Sequence, residues 1–223
     1  MSLTACLAVV CVCAAAGIHA DVREPFVVNV HLQIDRSIRS RVIPADLKNE
    51  TEALWRPYGV HLEWTDSPAN GAAPSGLSLE VILERRIIDA PGLPKSATVM
   101  GLTSLKPSVP CVRPIRVSLD ATESVLAKSR TSIGRIVHDH DLGRALGRVL
   151  AHEIGHSLLG APHDEAGMMR AVFRPNELAE PDRTPFRLTC IGVARLRGRI
   201  GLLTGTEHEP IDPETCLYGR AVP

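Results

Sequence analysis

Ala151-His152-Glu153-Ile154-Gly155-His156-Ser157-Leu158-Leu159-Gly160-Ala161-Pro162-His163-Asp164 is the stretch on which the reading of this chain turns. Leu142, Ala145, Leu146, Val149, Leu150, Ile154 and Leu158 recur at helical spacing through it, which predicts a long amphipathic helix. Asp141 is the expected N-cap, Gly160 the C-cap, and Pro162 blocks any continuation. Residues four apart on such a helix are separated by about 40° around its axis, so His152 and His156 leave the same face. Two imidazoles so placed can bind one tetrahedral zinc ion. Glu153, one residue round the helix, can then reach a water beside the metal and act as its general base.

The same segment resembles the metzincin zinc peptidases, whose pattern is H-E-x-x-H-x-x-G-x-x-H followed by a methionine-containing turn. Gly160 and His163 stand for the later glycine and the third histidine, each one position beyond the family spacing, and Met168 or Met169 for the turn methionine. What the resemblance implies is a zincin-like α+β fold. Its twisted mixed sheet is joined to an active-site helix and a small C-terminal helical part, with peptide-bond hydrolysis as its activity. His152, His156 and His163 become the ligands of one catalytic zinc ion and Glu153 the catalytic residue. Spacing alone supports only metal-assisted hydrolysis. A turn after Gly160-Ala161-Pro162 can bring His163 back to the helix face. The rival third ligand is Glu177, whose distance along the chain resembles the gluzincin arrangement; Pro175 and Pro181 bracket it and leave little room for the helix that arrangement needs.

Working outward, Phe26 to Ile34, Val60 to Trp64 and Leu77 to Ile88 alternate apolar and polar residues, the period of half-buried strands, and Arg113 to Leu119 reads as a later strand. Ala45 to Trp55 has helix-compatible spacing, ended by Tyr58-Gly59, and Phe186 to Arg199 reads as a last helix. Asp66 to Ser75 and Ala90 to Lys95 are loops, and Arg174 to Pro185 is expected to be irregular. Gly143, Gly147 and Gly155 each weaken the long helix by about 1 kcal/mol against Ala, so close packing is expected where they lie. His138-Asp139-His140-Asp141 is read as the capping region of that helix rather than a metal cluster. Asp164 is either an orienting partner for an imidazole or a surface turn residue. His31, His61 and His208 read as isolated histidines.

The 223 residues are 44% hydrophobic and 22% charged, enough for one sizeable core. Lys plus Arg balance Asp plus Glu at 25 each, which leaves no electrostatic footprint for nucleic acid. No window approaches the ~18 apolar residues of a membrane span. Leu3 to Ala16 is an apolar run ending in small residues before Asp21, which predicts a signal peptide over residues 1–20, a zincin-like domain over 21–223, and a secreted or periplasmic protein. Cys111, Cys190 and Cys216 remain after cleavage and allow at most one internal disulfide, Cys190 with either of the others. The expected partner is a peptide or protein substrate, met by a monomer. A secreted metal-binding protein without turnover is the alternative, and Glu153 argues against it, since metal binding alone has no use for that residue.

Overall fold

In β1 (Phe26–Ile34), Val28 and Val30 are fully buried while the residues between them are half-buried, as the alternating pattern requires. The computed structural model describes residues 25–65, 77–88, 99–103, 114–129, 135–160 and 163–205. From β1 the chain runs through α1 (Val42–Trp55) to β2 (Val60–Thr65), which pairs with β1 in parallel, Val28 opposite Leu62. β3 (Leu77–Glu84) lies parallel on the other side of β1, and β5 (Ile115–Ser118) lies parallel to β3. β4 (Gly101–Leu102) closes the order β2-β1-β3-β5-β4 as an antiparallel edge strand on β5. The sheet is therefore mixed, with every parallel strand feeding an apolar core: Val28 and Val30 from β1, Val60 and Leu62 from β2, Leu79, Val81 and Leu83 from β3, and Ile115 and Val117 from β5.

After β5 come α2 (Leu119–Leu126), capped by the Ser118 hydroxyl, and then α3 (Arg135–Leu159), the long helix. α3 packs on α1 with almost no space between the backbones. A Cβ at Gly143 would stand 2.7 Å from Asp46 Cβ, and one at Gly147 2.8 Å from the Leu47 carbonyl oxygen. Gly143 and Gly147 are thus the residues that let the two helices touch, and the Thr51 hydroxyl sits at the contact, 2.7 Å from the Leu47 carbonyl of its own helix and 3.1 Å from the Gly147 carbonyl across it. Beyond α3, the smaller C-terminal part holds α4 (Pro175–Ala179), a 3-10 turn over Thr184–Phe186, and α5 (Cys190–Thr204). Arg148, fully buried in mid-α3, pins this part in place. Its guanidinium donates to Glu50 Oε1 at 2.8 Å, to the Asp182 carbonyl at 3.0 Å and to the Glu177 carbonyl, and it lies over the Phe186 ring at 4.4 Å.

Several expectations are corrected. α3 begins at Arg135, so Asp141 is not its N-cap but a buried residue inside it, bonded to Arg144 at 3.0 Å. His138-Asp139-His140-Asp141 is helix rather than capping region. His138 is 3.0 Å from Glu123 and His140 2.5 Å from Asp46, while Asp139 accepts from the Ser40 hydroxyl at 2.7 Å. Tertiary partners on α1 and α2 thus support two extra helical turns that the apolar periodicity did not reveal. The segment expected to be irregular contains α4 and the 3-10 turn, because Pro at N1 is compatible with a helix start. The last helix begins at Cys190, after a Thr189 cap that accepts from Gly192 N–H. β3 stops at Glu84, short of Ile88. Residues 1–20, Cys111, Cys216, His208 and both long loops lie outside the described residues. Cys190 is exposed and unbridged. Among the described residues, no helix is long and apolar enough to cross a membrane.

Candidate metal centre

The last two turns of α3 carry His152, Glu153 and His156, and Gly160, at φ 77°, ends the helix with its N–H on the His156 carbonyl at 3.0 Å. That left-handed conformation is open to glycine at little cost. The one-residue delay relative to the metzincin pattern is taken up here, by a helix that runs through Leu159 before Gly160 turns the chain.

His152 is buried, and its Nδ1 donates to the Met168 carbonyl at 2.8 Å. A carbonyl only accepts, so Nδ1 carries the proton and Nε2 keeps its lone pair. That lone pair faces His156 Nε2, 3.1 Å away. Zinc bonds of about 2.0–2.1 Å in tetrahedral geometry set two donor nitrogens about 3.3 Å apart, so the pair already stands near ligand spacing. His163 completes the group. Its ring centroid is 5.2 Å from that of His152 and 4.8 Å from that of His156, and one ligand atom from each of the three lies within 4.8 Å of the others. Among the described residues, this is the one cluster of three or more His, Cys, Asp or Glu side chains so arranged.

The electrostatics favour neutral imidazoles. Burial pulls His152 down to about 4, helped by the neighbouring His156 and His163 and opposed by the Met168 hydrogen bond. Burial, then His163, lowers His156 as well, against the Gly160 backbone contact. Both rings therefore present lone pairs at neutral pH, the state a metal ligand needs. Three nitrogen donors leave a fourth tetrahedral position open, so the donor set fits a catalytic rather than a closed structural zinc site.

Glu153 is buried beside them. Thr103, just past β4, donates its hydroxyl to Glu153 Oε2 at 2.6 Å. Burial raises the Glu153 carboxyl to about 7, with the Thr103 bond opposing. Underneath, Met168 and Met169 are both buried. Met169 packs so closely on Gly155 that a side chain there would collide with its thioether. Phe173 meets the His152 ring edge-on at 5.3 Å and stacks on Phe186. The methionine pair is thus packed into the core, and Met168 adds the carbonyl that sets the His152 tautomer.

The other candidates lie elsewhere. Glu177 is bound by Arg170 at 2.6 Å and by the Arg174 N–H at 3.2 Å, as part of the start of α4, and is not in the histidine cluster. Asp164 is neither an orienting partner for an imidazole nor a loose turn residue. It accepts from Thr189 at 2.7 Å and from Arg195 at 2.9 Å, tying the segment after His163 to α5. His31 is a satisfied histidine, with Nδ1 3.1 Å from the Thr65 carbonyl. Thr103 and Phe173 were not anticipated. Neither belongs to a motif, and only the fold brings them to the site.

A mixed sheet with one antiparallel edge strand, a long helix carrying two of three convergent imidazoles, and a small helical part beyond it make this fold zincin-like. No family model matches the sequence, and no curated protein matches it. Among solved structures, the chain is similar to archaemetzincin from Methanopyrus kandleri, at 13% identity and a TM-score of 0.48, over 81% of this chain and 98% of that one.

Proposed function

We propose that this chain is a zinc-dependent peptidase in which His152, His156 and His163 hold one zinc ion and Glu153 serves as general base. The observation that carries the proposal is the convergence of three imidazoles beside a buried carboxylate from the same helical turn. Bound there, zinc supplies Lewis acidity to a carbonyl and to the attacking water. The chain's own residues do the rest. His152 and His156 present neutral nitrogens, and the Met168 carbonyl keeps the His152 proton on Nδ1. Thr103 donates to Glu153 Oε2, and the carboxylate held in this way is the group that takes a proton from water as the scissile carbonyl is attacked and returns it to the departing amine nitrogen. Peptide as the substrate rests on the metzincin resemblance of residues 152–169, and an exported place of action on the apolar run from Leu3 to Ala16.

Elemental analysis of the zinc-reconstituted protein, followed by hydrolysis of a mixed peptide library, tests the reading. Roughly one zinc per chain is expected, with turnover reduced about 10²–10⁴-fold by Glu153→Ala while zinc content is unchanged. No zinc after reconstitution sinks the proposal. Zinc bound without any Glu153-dependent cleavage leaves a metal-binding protein without turnover.

A further inference from the structure

The edge strand β4 is fixed from two sides. Its Gly101 and Leu102 pair with Val117 and Arg116 of β5, and the Ser118 N–H donates to the Met100 carbonyl at 2.7 Å. On the side facing α3, Gly101 lies directly against Glu153, where a Cβ would stand 2.7 Å from Glu153 Cγ and closer still to Oε1. Two residues on, the Thr103 hydroxyl is 2.6 Å from Glu153 Oε2 and 3.2 Å from the Glu153 main-chain oxygen. A hydroxyl has one proton to give, and the shorter distance and the negative charge both direct it to the carboxylate. The sheet therefore reaches across to α3 with a surface that has no side chain at Gly101 and a single donor at Thr103, both applied to one carboxylate.

We infer that Thr103 is a positioning residue that holds Glu153 in the place of a base and away from the three imidazoles, with Gly101 providing the room. The inference rests on the function proposed above. A glutamate one residue from a histidine ligand has two possible uses: it can serve the attacking water, or it can swing in as a fourth ligand and close the site. Holding one carboxylate oxygen from the opposite wall selects the first. A donor of this kind acts on the metal site through another residue, and removing such partners commonly costs 10–100-fold.

The test compares Thr103→Val, Thr103→Ala and Thr103→Ser in the full chain, by steady-state kinetics on one cleaved peptide, by zinc content, and by crystal structures of each. Thr103→Val and Thr103→Ala are expected to lower kcat by about 10–100-fold with KM within about twofold and zinc content intact, and to show the Glu153 carboxylate displaced. Thr103→Ser, which keeps the hydroxyl, should restore most of kcat and the original carboxylate position. A carboxylate that stays in place in the Val and Ala variants overturns the inference, whatever the rates. So does an unchanged kcat. If Thr103→Val fails to fold, the smaller Ala substitution decides. If the wild-type protein binds zinc but cleaves nothing, the peptidase reading fails separately, and the crystal structures still decide whether Thr103 positions Glu153.

Discussion

The two ends of α3 use the same residue type for opposite purposes. Near its start, His138 and His140 point to carboxylates on neighbouring helices, Glu123 at 3.0 Å and Asp46 at 2.5 Å, and both rings are substantially exposed. Near its end, His152 is buried and has a main-chain carbonyl as partner, and its other nitrogen meets a second imidazole. A carboxylate occupies a ring nitrogen with an ion partner. A carbonyl fixes the tautomer and leaves the far nitrogen bare for a metal. Histidine spacing is thus less informative than the identity of the second partner.

The sharpest way to break this comparison is to remove histidines from each end. His152→Ala or His163→Ala should weaken zinc binding by more than about 100-fold, beyond the usual loss for an outer partner. His138→Ala and His140→Ala should leave it within about twofold, as competition against a chromophoric chelator would measure. Comparable losses from both ends would mean that the carboxylate-paired histidines also serve the metal.

Between the two ends sits Arg148, whose charge is buried against Glu50 and whose remaining N–H groups hold the C-terminal part. Arg148→Met leaves Glu50 with Arg183 alone, at 2.8 Å and half-exposed. Removing one partner of a buried pair costs about 3–5 kcal/mol, which urea unfolding of the metal-free protein should show. A loss under about 1 kcal/mol would mean that the guanidinium's attraction to Glu50 barely exceeds its own desolvation.

The histidine-cluster end was legible in the sequence because its signal is local. Two imidazoles four residues apart and a glycine at the helix end need only helical geometry to be read. The carboxylate-paired end was misread for the converse reason. His138 and His140 acquire their meaning from Glu123 and Asp46, and Asp46 is 94 positions away, so an Asp near the first apolar repeat was mistaken for a cap. Sheet order, Thr103 and the Arg148 anchor were out of reach on the same ground. β4 is two residues long and has no period to detect, and Arg148 looks like any charged helical position until Glu50 and the Asp182 carbonyl are brought to it. The strands β1, β2 and β3 were visible because one face of each is buried and the other is not.

The pH response of the metal-free protein sharpens the comparison further. His152 is lowered from 6.5 to about 4 in the fold, so its contribution to stability is present above pH 6.5 and is lost as pH falls through 4. Glu153 is raised from 4.5 to about 7, so its contribution is present below pH 4.5 and is lost as pH rises through 7. The two oppose each other across the intervening range, and substitution separates them. Glu153→Gln should match the wild type most closely near pH 4 and gain on it as pH rises, reaching roughly 3 kcal/mol by pH 8. Thermal melts of both metal-free proteins across that range check it. A difference independent of pH would show that Glu153 is as well solvated in the fold as in the unfolded chain.

The smallest effect expected is also the most discriminating about the ligand set. Glu177 lies in the right part of the chain to be a third ligand, but its carboxylate is engaged by Arg170 and by the Arg174 N–H at the first turn of α4. Glu177→Ala therefore removes a helix-start acceptor and a partly buried ion pair, which together are worth about 1 kcal/mol. Zinc affinity should stay within about twofold of wild type, because no ring of the cluster depends on that carboxylate. A stability loss of that size with zinc retained, set beside the loss of zinc in His163→Ala, assigns the third position to the histidine. Zinc loss in Glu177→Ala with retention in His163→Ala would reverse that assignment. It would require α4 to release Arg170 and turn towards α3 when metal binds.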